Sequence, residues 1–117
     1  MRLNEIRYAG ADPVEGYGPG FFRVAGQVIS GAMLISAGGA RTWGGYDDSA
    51  PLVELAGAVD VLILGTGAEI AHIPAALRAV LDEAGVGVEL MSSPTGARTY
   101  NVLLSEGRRI AAALLPV

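Results

Sequence analysis

Two short stretches carry residue types that suit anion binding. The first is Gly65-Thr66-Gly67, which closes the apolar run Val59–Leu64. Two glycines let successive backbone N–H groups turn to one side and cradle a negative charge. The motif has neither the third glycine of a dinucleotide fingerprint nor the lysine of a P-loop. A strand-exit turn that needs positive φ is its more ordinary reading. The second stretch is Thr95-Gly96-Ala97-Arg98-Thr99-Tyr100-Asn101. Thr95 and Arg98 fall in the first two turns of a predicted helix. There an anion would meet free N–H groups, the positive end of the helix dipole and a guanidinium together. Arg98, Asn101 and Ser105 are spaced i, i+3, i+7 and share one helical face. A solvated polar face has the same spacing, but asparagine inside a helix is mildly unfavourable and asks for a reason.

Other residues offer less chemistry. Trp43, the single tryptophan, stands beside Arg41 and Gly44-Gly45. It suits a core anchor first and a pocket or partner surface second. His72 lies between Glu69 and Pro74 and reads as a surface polar group rather than a general base. Asp47-Asp48 reads as a solvated loop, and Arg108 and Arg109 suit the negative end of a helix. No serine lies in a nucleophile-elbow pattern. Cysteine is absent, which excludes disulfides, thiolate metal sites and cysteine nucleophiles. One histidine excludes multi-histidine metal sites, and the absence of lysine excludes Schiff-base chemistry. The residues imply no cofactor and no metal, and they identify no catalytic residue.

The candidate stretches need strands and helices to hold them. Met1–Gly20 is polar and broken by Gly and Pro. It reads as an extended arm over residues 1–16 and a turn, with a short strand at Glu5–Tyr8. Phe21–Val24 and Gln27–Ser30 read as strands of a tight hairpin around Ala25-Gly26. Gly31–Ser36 reads as a strand broken by Ala37-Gly38-Gly39, and Ala40–Trp43 resumes extended structure. Ser49 can cap a helix with Pro51 in its first turn and Gly57 at its end. Val59–Leu64 is apolar almost throughout, as a strand buried on both faces must be. Pro74–Ala84 is the clearest helix, with Leu77, Val80 and Leu81 on one face and Gly85 after it. Gly87–Met91 reads as a strand, Ser93–Ser105 as a helix with Ala97, Tyr100 and Leu104 on one face, and Ile110–Leu115 as the last strand. The second half is thus a βαβαβ series, which requires right-handed crossovers and parallel pairing of Val59–Leu64 with Gly87–Met91. The expected fold is a single three-layer α/β domain over residues 1–117, with N-terminal hairpin strands and a mixed central sheet. Both candidate stretches would then reach its carboxyl edge, where open α/β sheets bind ligands.

The composition suits one globular domain: 117 residues, of which 51% are hydrophobic and 17% charged. A net charge of −4 argues against a nucleic-acid partner, which needs a basic surface. All eight cations are arginine, as a GC-rich genome or anion recognition by guanidinium forks would produce. The N-terminus has no apolar signal core, and no apolar run approaches the roughly 20 residues of a spanning helix. The expected setting is cytoplasmic, with peripheral attachment to a membrane complex at the inner membrane left open.

The string Gly65-Thr66-Gly67, Pro74, Leu77, Val86–Glu89, then Thr95 through Leu103, Glu106-Gly107-Arg108 and Ala111-Ala112-Ala113-Leu114 resembles one small-domain family. Tyr17-Gly18-Pro19-Gly20-Phe21 and the hairpin after it resemble it too, so the likeness covers Tyr17–Val117. The family includes the mitochondrial complex I (NADH:ubiquinone oxidoreductase) assembly factor 3, the adipogenesis-associated domain protein of animals, and many bacterial and archaeal single-domain proteins. The resemblance implies a five-stranded mixed central sheet with one strand antiparallel to the rest. It implies a surface cleft near Gly65, Thr66, Gly67, Arg98, Thr99 and Asn101, with no agreed ligand. It implies no enzymatic activity established for the family as a whole, and it places His72 outside the pattern. This chain looks like a free-standing bacterial version.

Three readings of function follow. One is a non-enzymatic assembly or interaction factor whose partners are respiratory-complex subunits or other assembly factors. The second is a protein or enzyme that binds an anionic small molecule through Gly65-Thr66-Gly67, Thr95, Arg98, Thr99 and Asn101, with Trp43 nearby. The third is a homodimer that buries a spare apolar face.

Overall fold

Alternation along the central strands builds the architecture. In a strand, neighbouring side chains point to opposite faces. Ile63 faces one hydrophobic core, while Leu62 and Leu64 face another. Ala112 and Leu114 join the first core, and Ala111 and Ala113 the second. Met33 and Ile35 likewise oppose Leu34. Each of these strands is therefore buried on both sides, which demands a layer above and a layer below.

The computed structural model describes residues 11–117. Their elements run β1 (Val14–Gly18), β2 (Phe21–Val24), β3 (Gln27–Ser30), β4 (Met33–Ser36), β5 (Gly39–Thr42), α1 (Ala50–Val53), β6 (Val61–Gly65), α2 (Ala75–Ala84), β7 (Val88–Met91), α3 (Ser93–Ser105) and β8 (Ile110–Leu114). The expected strand at Glu5–Tyr8 lies outside the described residues.

Five strands form the central sheet in the order β5-β4-β8-β6-β7. β6 pairs in parallel with both β7 and β8, and β4 is antiparallel to both its neighbours, β5 and β8. So one strand, β4, opposes the other four, as the family resemblance implies. β1, β2 and β3 form a separate three-stranded antiparallel sheet. Val14, Phe22 and Val24 from that sheet share a core with Ala97, Tyr100 and Leu104 of α3. The opposite face of the central sheet is covered by Leu52 of α1 and by Leu77 and Leu81 of α2.

Several elements differ in their bounds from those the sequence predicts. Residues 14–16, read as part of an arm, belong to β1, whose ladder with β2 carries an irregularity between Val14 and Gly16. The strand expected from Gly31 begins at Met33, because Gly31 turns at φ +79° and its N–H bonds to the Gly20 carbonyl. The apolar run at Val59 enters the sheet only at Val61, since the Val59 N–H still closes a turn on Leu55. Ser49 does precede α1, but its backbone is already helical and its hydroxyl makes no cap; its carbonyl instead accepts the Leu52 and Val53 N–H groups. Val80 on α2 is 40% exposed, because Leu77 and Leu81 alone centre the buried face. The Ala25-Gly26 hairpin, the parallel β6–β7 pair and the bounds of α3 stand as expected.

Candidate functional site

β6, β7 and β8 run in parallel, so their carboxyl ends share one edge. Gly65 to Gly67 leave β6 there, Ser92 and Ser93 follow β7, and Leu115 follows β8. Trp43, just after β5, lies at the same edge but three strands from β6, about 14 Å at ordinary strand spacing.

Serine 93 organises the edge. It is fully buried, and its Oγ donates to the Leu115 carbonyl at 2.6 Å and accepts the Gly67 N–H at 3.0 Å. Its own N–H donates to the Gly67 carbonyl at 2.7 Å. The Leu115 N–H returns to the Gly65 carbonyl at 2.9 Å, and the Thr66 N–H donates to the Met91 carbonyl at 2.9 Å. Thr66 Oγ1 donates to the Glu69 carbonyl at 2.7 Å and accepts the Ala71 N–H at 3.0 Å. Glycine is required at 65 because a Cβ there would stand 2.8 Å from the Ser93 Cα and 2.7 Å from Leu114 Cδ2. Glycine at 67 adopts φ +104°, a region that L side chains avoid.

The start of α3 is equally engaged. The Ser93 N–H is held by Gly67, Pro94 has none, and the Thr95 N–H meets the Ser92 hydroxyl at 3.3 Å. The Gly96 N–H already closes the first helical bond on the Ser92 carbonyl. The donors expected to receive an anion thus point at protein acceptors.

The remaining candidates separate. Asn101 is half-buried and clamps the backbone of Val14: its Oδ1 accepts the Val14 N–H and its Nδ2 donates to the Val14 carbonyl, both at 2.8 Å. That pair of hydrogen bonds is the reason for an asparagine within a helix. Arg98 is exposed, and its Nη2 donates to Thr95 Oγ1 at 3.3 Å; among the described residues it ion-pairs with no carboxylate. Thr99 is half-buried between them in sequence. Trp43 packs in the core beneath α1 and α2, only 4% exposed. Its indole N–H donates to the Asp48 carbonyl at 2.9 Å, and its ring meets Tyr46 edge-on. His72 is exposed.

Ser93 is the residue that sequence reasoning missed. Its signal was a small polar residue at a strand exit directly before Pro94, which reads as capping alone. Among the described residues, no group of three or more histidine and acidic side chains could hold a metal, and no helix is long and apolar enough to cross a membrane. Burial pushes the Tyr100 phenol up to about 12, with a smaller push from the Asp12 carboxylate. Its hydroxyl has no hydrogen-bond partner among the described residues.

Comparisons with known proteins place the chain. A family model described as a protein of unknown function (DUF498/DUF598) matches residues 14–115. A Rhodobacter capsulatus protein, itself called uncharacterized, is 56% identical over 117 residues, covering 100% of this chain and 94% of its own length. The zebrafish (Danio rerio) protein named NADH dehydrogenase (ubiquinone) 1 alpha subcomplex assembly factor 3 is 32% identical over 107 residues. That match covers 86% of this chain but 62% of the zebrafish protein, less than two thirds of its length. The crystal structure of an outer membrane protein from Bartonella henselae superposes with a TM-score of 0.82 at 32% identity, covering 95% of this chain and 99% of that one. With its matched span running from β1 through β8 and assembly factor 3 among its homologues, the chain belongs to the DUF498/DUF598 family.

Proposed function

We propose that this protein is a non-enzymatic assembly or interaction factor whose partners are subunits or assembly factors of a respiratory complex. The carrying observation is the closure of the carboxyl edge. The backbone donors of Thr66, Gly67, Ser93 and Thr95, where an α/β enzyme would receive substrate, are all bonded within the protein. That bonding supports reading the motif residues as a structural surface rather than a reaction centre. The relationship to a protein named as a complex I assembly factor supplies the class of partner. The reading places the protein in the cytoplasm or at the periphery of the inner membrane.

Affinity capture from the native organism tests this, with wild type and Arg98→Ala compared by mass spectrometry. Wild type is expected to recover respiratory-complex subunits. Recovery by wild type alone assigns the docking surface to the exposed start of α3. Recovery by both keeps the role and moves docking elsewhere. Recovery of no respiratory subunit by either overturns the proposal.

A second reading, an anionic ligand held at Arg98, is favoured by one observation. This guanidinium is exposed and free of any carboxylate among the described residues. Thermal stabilisation by inorganic phosphate that disappears in Arg98→Ala is its expected sign; equal stabilisation of both proteins rejects it.

A further inference from the structure

A cavity of about 440 Å³ opens at the end of the sheet opposite the closed edge. It forms where the two cores meet. Leu104 of α3 and Ile110 of β8 belong to one core, while Leu55 and Val59, from the turn after α1, pack against the other. These side chains give the cavity an apolar wall. Its volume falls within the range of small-molecule sites, roughly 300–1,000 Å³.

The charged lining groups are Arg108 and Arg109, with Ser36 the other polar side chain of the wall. Arg109 is already committed: its Nη2 donates to Asp60 Oδ1 at 2.6 Å, and its Nη1 reaches the Gly57 carbonyl at 3.5 Å. The Arg108 side chain makes no hydrogen bond or ion pair among the described residues, so its N–H donors are uncommitted, although its charge also acts on the Asp60 carboxylate. The two arginines follow Gly107, whose φ of +78° ends α3 and turns the chain across the mouth of the cavity. An apolar wall with a guanidinium that is not directly bonded to any group among the described residues, though it lies within electrostatic reach of the Asp60 carboxylate that Arg109 already holds, suits a ligand that has an aliphatic body and a single anionic head. A hydrophobic body is favoured by burial, and a carboxylate matches the planar guanidinium fork.

We propose that this cavity binds an aliphatic monocarboxylate, its chain against Leu55, Val59, Leu104 and Ile110 and its carboxylate on Arg108. The site is independent of the Arg98 surface and of the assembly role.

Sodium octanoate is the probe, titrated below its micellar range into the full ¹⁵N-labelled chain and followed by amide chemical shifts. Saturable shifts are expected at residues 36–38, 55–59 and 104–110. Octan-1-ol, which lacks the charge, is expected to bind about tenfold more weakly, the ordinary worth of one charge-assisted hydrogen bond. Arg108→Ala should weaken octanoate by the same factor and leave octan-1-ol unchanged. Ala58→Phe should fill the opening and abolish binding of both. Ala58 and Arg108 are exposed, so neither variant disturbs a packed core, and the amide spectra away from the cavity verify that both fold. The proposal is overturned by shifts that do not saturate or that map outside these residues. Equal affinity for octanoate and octan-1-ol, or an Arg108→Ala protein that binds octanoate undiminished, overturns it as well.

Discussion

Asn101 shows how a side chain that reads as a ligand contact can also hold the fold together. Its amide presents an acceptor and a donor in one plane, and Val14 offers the matching pair. Removing the amide leaves both Val14 groups without partners, half-buried. Asn101→Ala should therefore cost about 1–3 kcal/mol, read by urea denaturation. Helix propensity marks Asn101 as needing an explanation, but its partner lies 87 residues away, a separation that local reading does not cross. Gly65 is similar: a turn glycine is legible, whereas the Ser93 backbone pressing on it is not. Tyr100 makes the opposite case. Its buried hydroxyl has no partner among the described residues, so Tyr100→Phe should be neutral or stabilising near pH 7. Its folded pKa lies above the ordinary 10.0, at about 12, so the neutral phenol favours the folded state. That contribution is complete below the ordinary value and is lost as pH rises through about 12. Wild type should lose about 2 kcal/mol more than Tyr100→Phe over that window, measured by denaturant melts at stepped alkaline pH.

At the scale of elements, signals were strongest where local chemistry and burial agree. α3 declares itself through Pro94 in its first turn and through Ala97, Tyr100 and Leu104 on one face. β6 and β8 declare themselves as apolar runs, because both faces of a central strand are covered. β1 does not, since Val-Glu-Gly-Tyr-Gly has two glycines and one buried residue, and its place depends on β2 and α3. The β2–β3 hairpin is legible from Ala25-Gly26, yet its turn is strained. Ala25 takes φ +51° and Gly26 φ +76°, the paired left-handed conformations of a type I′ turn. Asparagine tolerates that conformation better than alanine. Ala25→Asn should raise stability by about 0.5–1 kcal/mol with no change in fold, seen as a higher urea midpoint at unchanged slope.

Across the whole molecule, the two ends of the sheet have different chemistry. The carboxyl edge is closed by Ser93 and the Gly65–Gly67 turn, and the opposite end is open and lined with apolar groups. Charge is spread thinly over the described surface, where the ion pair of Asp60 with Arg109 joins the turn before β6 to the start of β8. Its hydrogen bond to Arg109 holds the Asp60 carboxyl below the usual aspartate range. A carboxyl lowered in this way stabilises the folded state above its unfolded pKa, and that support fades as pH falls through the folded value. Wild type should thus exceed Asp60→Asn slightly at neutral pH, and the two should converge in acid. Both side chains are largely exposed, so added salt should shrink the difference.

Among the described residues, two hydrogen-bonded links at its ends fasten the three-stranded sheet. Asn101 holds Val14 at one end of β1, and beyond the other end the Gly20 N–H bonds to the Val117 carbonyl at 3.0 Å. Between these latches it covers Tyr100 and Leu104 with Val14, Phe22 and Val24. A unit joined to the βαβ frame by two hydrogen-bonded latches and three core side chains can open while that frame stays folded, so the molecule should exchange its amide hydrogens in two classes. The strands β1 to β3 would exchange first and together, and β6 and β8 last. Cutting the Asn101 latch should then speed exchange in the first class and leave the second nearly unchanged, turning one cooperative domain into a hinged cover over a persistent core.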